Sequence, residues 1–289
     1  MPPEAFAPLS ERGAVGRRIV NAVAITACVM AAALILLPLA LIVWHLVAKG
    51  LPALTLGFFM HMPKPVGEAG GGMANAIVGT VILVLLGALI AVPVGVGTGV
   101  YLAEYGPGRL AAIVRYTADL LSGVPSIVVG VAAYGLVVVP MGRFSAIAGG
   151  VALGILMLPT IIRSTEEVVR LVPQSYRHAA LALGAPQWRV LLSVVVPAAW
   201  GGILTAIMLA VARAAGETAP LLFTALGNRF WSLSLDQPIA SLPVFIFDYA
   251  RAPYDDWNRQ AWTGALVLLM LVAVVSGMMR LTTRRIARR

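Results

Sequence analysis

AVARAAGETAPLLFTAL, Ala210 to Leu226, sets Arg213 and Glu217 inside a segment, Val190 to Asn228, that is otherwise uncharged and long enough to cross a membrane. An ionisable side chain at bilayer depth costs roughly 2.5–3.5 kcal/mol on insertion scales, so it is retained where it faces protein, water or a charged substrate. Residues four apart lie on one helix face, which lets the guanidinium and the carboxylate meet. Two readings follow: a self-neutralising pair between packed helices, or an anion-binding point on a transport path.

Composition narrows the class. Hydrophobic residues make up 60% of the 289 and charged residues 11%, less than half of the roughly 25% charged content of a soluble domain. The chain therefore reads as an all-α, polytopic membrane protein. A single cysteine, Cys28, excludes an intramolecular disulfide and a cysteine-built metal site, and His45, His61 and His178 lie too far apart for a metal spacing. The first apolar run, 29 residues from Ile19 to Val47, exceeds a signal-peptide core and is expected to be a retained helix.

About 20 apolar residues span a bilayer, and six segments qualify: Ile19 to Val47, Met73 to Ala103, Leu120 to Gly142, Phe144 to Ile162, Val190 to Asn228 and Gln260 to Met279. Six crossings put both termini on one side. With that side inside, fourteen arginines fall in internal segments against six lysines and arginines outside, as the positive-inside rule requires. The net charge of +9 is thereby explained by topology, without a nucleic-acid partner.

Prolines 38, 93, 125, 159, 197 and 220 punctuate the spans, and each removes a backbone donor. Ser122-Gly123-Val124-Pro125-Ser126 is the strongest break; a kink packed by small residues and a pore-lining bend both fit it. GVGTG, Gly95 to Gly99, lies inside a span and lacks the lysine of a phosphate loop. The longest polar internal segment, Arg163 to Pro197, contains an amphipathic helix over Gln174 to Leu183, a stop at Gly184 and a new start at Pro186. Its apolar face fits a groove on another protein or the membrane surface. Glu166 and Glu167 are expected on a solvated charged face, within reach of Arg170 or of a partner.

HAALALGAPQW, His178 to Trp188, with a closing proline at Pro197, resembles the EAA loop of ABC-importer permeases. Ala179, Ala180 and Gly184 match that pattern, and His178 stands where glutamate is usual. LSGVPSIVVG (Leu121 to Gly130), LPTIIRSTEEVVRLVPQSYR (Leu158 to Arg177), ARAAGETAPLLFTAL (Ala212 to Leu226) and SLPVFIF with AWTGALVL (Ser241 to Leu268) are similar to the phosphate-specific permeases of the PstA type. The resemblance covers roughly residues 70 to 280. It implies an ABC type I importer core over 72–282 with the EAA-type loop at 163–193. The N-terminal tail, first span and external loop would occupy 1–71, and a basic tail 283–289.

The resemblance further implies a bacterial inner-membrane subunit with both termini cytoplasmic. Its partners would be a PstC-like permease, two copies of a PstB-like ATPase that uses ATP and magnesium, and an external phosphate-binding protein. This chain has no nucleotide-binding motif of its own, so no catalytic residue and no bound cofactor or metal is expected. Arg213 is the first candidate for contact with translocating phosphate, because guanidinium offers planar charged donors and keeps its proton. Glu217 would hold Arg213 when the site is empty. Thr218 offers a hydroxyl or packs, and Arg163 meets phosphate at the exit or snorkels to headgroups. Tyr176, His178, Ala179, Ala180 and Gly184 would contact the ATPase, and Gly123, Pro125 and Ser126 would bend or gate the pore.

The external loop from Gly227 to Asn258 is rich in aromatics and aspartates, as membrane anchors or as a docking lip. Competing readings are a permease for sulfate or molybdate, a proton-coupled secondary transporter using Glu217, and a phosphate-signalling protein without flux.

Overall fold

The computed structural model describes residues 11–68, 70–106 and 108–286, with side chains between 16 and 281. Most of the expected N-terminal tail before the first span, residues 1–10, and the last three positions of the basic tail lie outside the described residues. Two compact units result, residues 1–49 and 50–289. The first is one long helix, α1 (Glu11–Gly50), with Pro38 inside it and its described apolar side chains exposed over the expected first span as far as Trp44.

The second unit is a helical bundle. Its elements are α2 (Leu56–Met60), α3 (Ala74–Glu104), α4 (Arg109–Gly123), α5 (Ser126–Met141), α6 (Ala146–Arg170), α7 (Gln174–Ala182), α8 (Gln187–Ala214), α9 (Ala219–Leu222), α10 (Leu242–Arg251) and α11 (Asp255–Ile286). Five helices, α1, α3, α6, α8 and α11, are long and apolar enough to cross a membrane, and the bent pair α4–α5 makes a sixth span if counted as one.

The third expected span, Leu120 to Gly142, is corrected by this pair. The chain turns by 108° between α4 and α5, because Pro125 has no donor for a continuing helix and Val124 adopts extended backbone (φ −71°, ψ 130°). The helix before the corner begins at Arg109, so Arg109, Arg115 and Asp119, which precede the expected span, lie on α4. The break is a corner rather than a kink.

The centre of the bundle is the pair α3 and α6. Gly79, Leu83, Gly87, Ala91, Gly95 and Gly99 recur every four residues along α3 and are all buried. Small residues on one stripe let two backbones approach closely. Gly87 meets Gly150 and Leu153, Gly95 meets Ile161, and Gly99 meets Thr165, so the two helices run side by side in the same direction. α8 packs back against α6, with Gly202 against Val168, and brings Ala210 and Ala214 into the cluster of Ala91, Leu153 and Met157.

Two single π turns, Tyr134–Val138 in α5 and Leu191–Val195 in α8, each end two residues before a proline, Pro140 and Pro197. A proline ring clashes with the carbonyl four residues back. In both cases that residue, Leu136 or Ser193, lies within the widened turn, which gives the ring room.

Gly79 tests the close approach. A Cβ there would fall 2.0 Å from the Ala240 carbonyl oxygen, so Gly79→Ala should lose about 1–3 kcal/mol through overpacking. Gly97, with nothing within 4 Å of its Cβ position, should tolerate alanine and gain up to about 1 kcal/mol of helix propensity. Melting temperatures of the two variants in detergent should move in opposite directions.

Candidate functional site

Arg213 stands in the last turn of α8, which ends at Ala214; Glu217 lies beyond the helix, in the turn that leads to α9. The expected fifth helix through Asn228 is therefore cut short. Gly216 and Pro220 interrupt it, and the turn is closed by bonds from Gly216 N to the Arg213 carbonyl and from Glu217 N to the Ala214 carbonyl. The side chains still meet: Arg213 Nε and Glu217 Oε1 are 3.8 Å apart, an ion pair rather than a tight hydrogen bond. The guanidinium side is 57% exposed within this chain and the carboxylate side 17%. Because Ala210 and Ala214 belong to the central cluster of α3 and α6, Arg213 sits level with the middle of the bundle and faces away from its core.

Thr218 flanks the pair at the start of α9, where its carbonyl accepts from Leu221 and Leu222. The chain then reverses at Leu226, whose φ is +61°, and Gly227 at +104°; the leucine is held in a region that a branched, bulky side chain rarely adopts. α9 also rests on α5. Gly130 approaches Pro220 so closely that a Cβ would lie 2.6 Å from the proline Cα. The corner motif and the Arg213 motif, read separately in the sequence, are thus joined through α5 and α9. Gly123 and Pro125 themselves are exposed and Ser126 half-buried.

At the α7 end of the bundle a set of charges comes together, of which sequence reading offered only the pairing of Glu166 with Arg170. Glu166 is 1% exposed, which corrects the expectation of a solvated face; Glu167 beside it is exposed. The Glu166 carboxylate accepts from Arg115 Nε at 2.6 Å and Arg163 Nη1 at 3.4 Å, and pairs with Arg170 Nη2 at 2.6 Å. Arg163 is paired within the chain: Nε and Nη2 each donate to Asp119 at 2.7 Å, a bidentate fork. Arg115 also donates to the carbonyls of Gly106 (3.1 Å) and Leu102 (2.8 Å).

The helix α7 has the expected ends. Gly184 takes a positive φ of 83° just past it, where glycine carries no Cβ penalty, and Pro186 caps the next helix start. Arg177, 8% exposed, anchors it by donating to Glu104 at 2.6 and 3.1 Å and to the carbonyls of Val169 and Val172. Tyr176, Leu181, Leu183 and Trp188 remain exposed, and Ala179 and Gly184 lie exposed between them, with Ala180 half-buried. Tyr176 lines a groove of about 370 Å³ with Leu171, Pro173 and Pro197. His178 lines a second of about 250 Å³ with Glu104, Gln174 and Gln187.

At the opposite end Phe245, Tyr249 and Trp257 stack in sequence, with Arg229 over the Trp257 ring. The segment SLPVFIF caps and starts α10, with Leu242, Pro243, Val244 and Phe245 buried. Among the described residues, no group of three histidine, cysteine or acidic side chains is placed to hold a metal.

Comparison with known proteins agrees with this architecture. Residues 95–288 match the family described as binding-protein-dependent transport system inner membrane component. The phosphate transport system permease protein PstA of Yersinia pestis is 46% identical over 254 residues, 86% of each chain. That of Xylella fastidiosa Temecula1 is 47% identical over 262 residues, covering 90% of this chain and 91% of its own. PstA 1 of Mycobacterium tuberculosis H37Rv is 38% identical over 281 residues, 95% and 89% of the two chains. Among solved structures, an inward-facing MetNI methionine ABC transporter superposes with a TM-score of 0.60 at 20% identity, over 73% of this chain and 93% of the other. At that identity the likeness is one of fold.

Removing one partner of a buried ion pair costs about 3–5 kcal/mol. Glu166→Gln should lie near the lower figure, since Arg115 and Arg163 keep their carbonyl and Asp119 acceptors. Glu167→Gln, at the surface, should stay within about 0.5 kcal/mol. Thermal unfolding of the two variants in detergent checks the contrast.

Proposed function

This chain belongs to the PstA phosphate transport permeases, within the binding-protein-dependent transport system inner membrane components, and we propose that it forms half of the path by which an ATP-driven importer carries inorganic phosphate inward. The observation that carries this reading is Arg213. A permanently charged guanidinium level with the middle of an apolar bundle, pointing away from its own subunit, is costly against lipid. It is accounted for if a second, PstC-like permease completes a water-filled path there.

Phosphate entering that path meets planar donors that bind its oxygens without proton exchange. Glu217 repels the anion and competes for the guanidinium, so that Arg213 passes from carboxylate to phosphate and back as cargo leaves. A site that held phosphate without such a competitor would trap it. Thr218 borders the pair as a secondary donor. The Gly123-Val124-Pro125-Ser126 corner, linked through α5 to Pro220, serves as the gate next to it.

Energy comes from partners. Two PstB-like subunits hydrolyse ATP with magnesium, and an external phosphate-binding protein delivers the substrate. The exposed face of Tyr176, His178, Ala179, Ala180 and Gly184 takes up the ATPase motion, and Arg177 passes it to α3 and α6. The α7 end then faces the cytoplasm, in accord with the excess of arginines in that half. Arg163, held by Asp119 and Glu166, serves the exit only by exchanging a carboxylate for phosphate.

The test is radiolabelled phosphate uptake into liposomes holding this chain with its partner permease and ATPase, and binding protein outside. Uptake that requires ATP and binding protein and survives a proton uncoupler is expected. Uptake abolished by the uncoupler would overturn ATP drive, and uptake of sulfate or molybdate in place of phosphate would overturn the substrate. A charge-assisted hydrogen bond is worth about 1.5–3 kcal/mol, so Arg213→Ala should slow uptake about 10- to 100-fold with the complex intact. Glu217→Gln should slow it less.

A further inference from the structure

We propose that Arg115 is a positioning residue for transport, joining the helix that carries the corner to the part of the subunit that α7 moves. The inference rests on the importer reading above and concerns a residue remote from Arg213. Its geometry is that of a three-way tie. Nε donates to Glu166 on α6, whereas Nη1 and Nη2 donate to the carbonyls of Gly106 and Leu102 where α3 ends. One side chain of α4 thus bonds two other elements, and it is itself only 22% exposed, with the Glu166 side chain almost fully buried.

The place for this guanidinium is built. A Cβ on Gly106 would lie 2.7 Å from Arg115 Nη2, so a larger residue there would push the fork off its acceptors. Two residues earlier, Glu104 is the carboxylate that Arg177 of α7 grips. A continuous set of charge-assisted bonds therefore runs from α7 through Glu104 and the end of α3 to Arg115, and from Arg115 to Glu166 and α6. α4 leaves this set, ends at Gly123, and after the corner α5 lies on Pro220 beside the Arg213 pair.

The other tie between α4 and α6, Arg163 to Asp119, joins side chains that are 37% and 51% exposed. Water and salt weaken it. The Arg115 tie is the drier of the two and the one that also reaches α3. Movement of α7 pulls on α3 through Arg177, and Arg115 turns that pull into movement of the corner. Lysine keeps the charge but lacks the fork that addresses three acceptors at once.

The experiment measures ATP hydrolysis and phosphate uptake in the same liposomes, with the whole complex assembled from wild-type chain, Arg115→Gln, Arg115→Lys or Gly106→Ala. The expected result is retained assembly and hydrolysis stimulated by loaded binding protein. Phosphate moved per ATP should fall about 3- to 30-fold in Arg115→Gln, with smaller falls in the other two. An unchanged ratio in all three variants overturns the role of Arg115. Hydrolysis and uptake falling together, with subunits lost from the complex in all three, also overturn it and leave Arg115 a purely structural residue. A wild-type complex that moves no phosphate with ATP overturns the importer reading itself, a result that is read before any variant.

Discussion

One carboxylate holds the α7 end of this bundle together. Glu166 is removed from water and surrounded by Arg115, Arg163 and Arg170; without it three guanidiniums from two helices would converge on a space with little water to screen them. A buried ion pair is weak evidence for stability in itself, since desolvation cancels much of the Coulomb gain. Its effect is on arrangement. Only one rotation of α4 about its axis brings Arg115 to Glu166 and Asp119 to Arg163 together. That rotation aims the corner at Val124-Pro125, so that α5 leaves toward α9. The contact of Gly130 with Pro220, and so the surroundings of Arg213, inherit their geometry from it.

The long apolar helices were legible because hydropathy averages well over 20 uniform residues. α3, α6 and α11 lie close to where the apolar runs place them, and α8 begins where its run does. α4 was not, since Arg109, Arg115 and Asp119 dilute the average below that of a span. The signal that was there is periodic: Ala111, Val114 and Ala118 recur at helical spacing and all pack against α3 or α6. Glu166 was misread for a related reason. Its spacing from Arg163 and Arg170 is that of an ordinary surface helix pair, and only the arrival of Arg115 from 51 residues away turns a surface face into a buried one. Long-range partners of this kind leave no local trace.

The Arg213 pair shows the reverse case. Both residues and their pairing were legible from four-residue spacing, yet the helix that should carry them stops at Ala214. Gly216 and Pro220 were the visible stop signals, outweighed by the apolar residues that follow. The difference matters chemically. A carboxylate in a turn is less rigidly placed than one on a helix, and at 3.8 Å it neutralises the guanidinium without occupying its fork. The donors stay available, as the exchange of partners proposed for Arg213 requires. This side of α8 is exposed, with the Arg213 side chain 57% accessible beside its carboxylate.

The π turn at Leu191–Val195 has an effect far from Pro197. A π turn takes up one extra residue, so everything after it lies about 100° behind its place in a uniform α-helix of the same sequence. The bearing of Arg213 is thus set some twenty residues upstream, by one inserted position near the start of α8. A uniform α-helix of the same composition would swing the guanidinium roughly a quarter turn away from where it now stands. The insertion works as a phase adjustment. Closing it as ordinary α-helix with the sequence unchanged would re-aim the charge, whereas deleting one residue of the turn would restore its bearing.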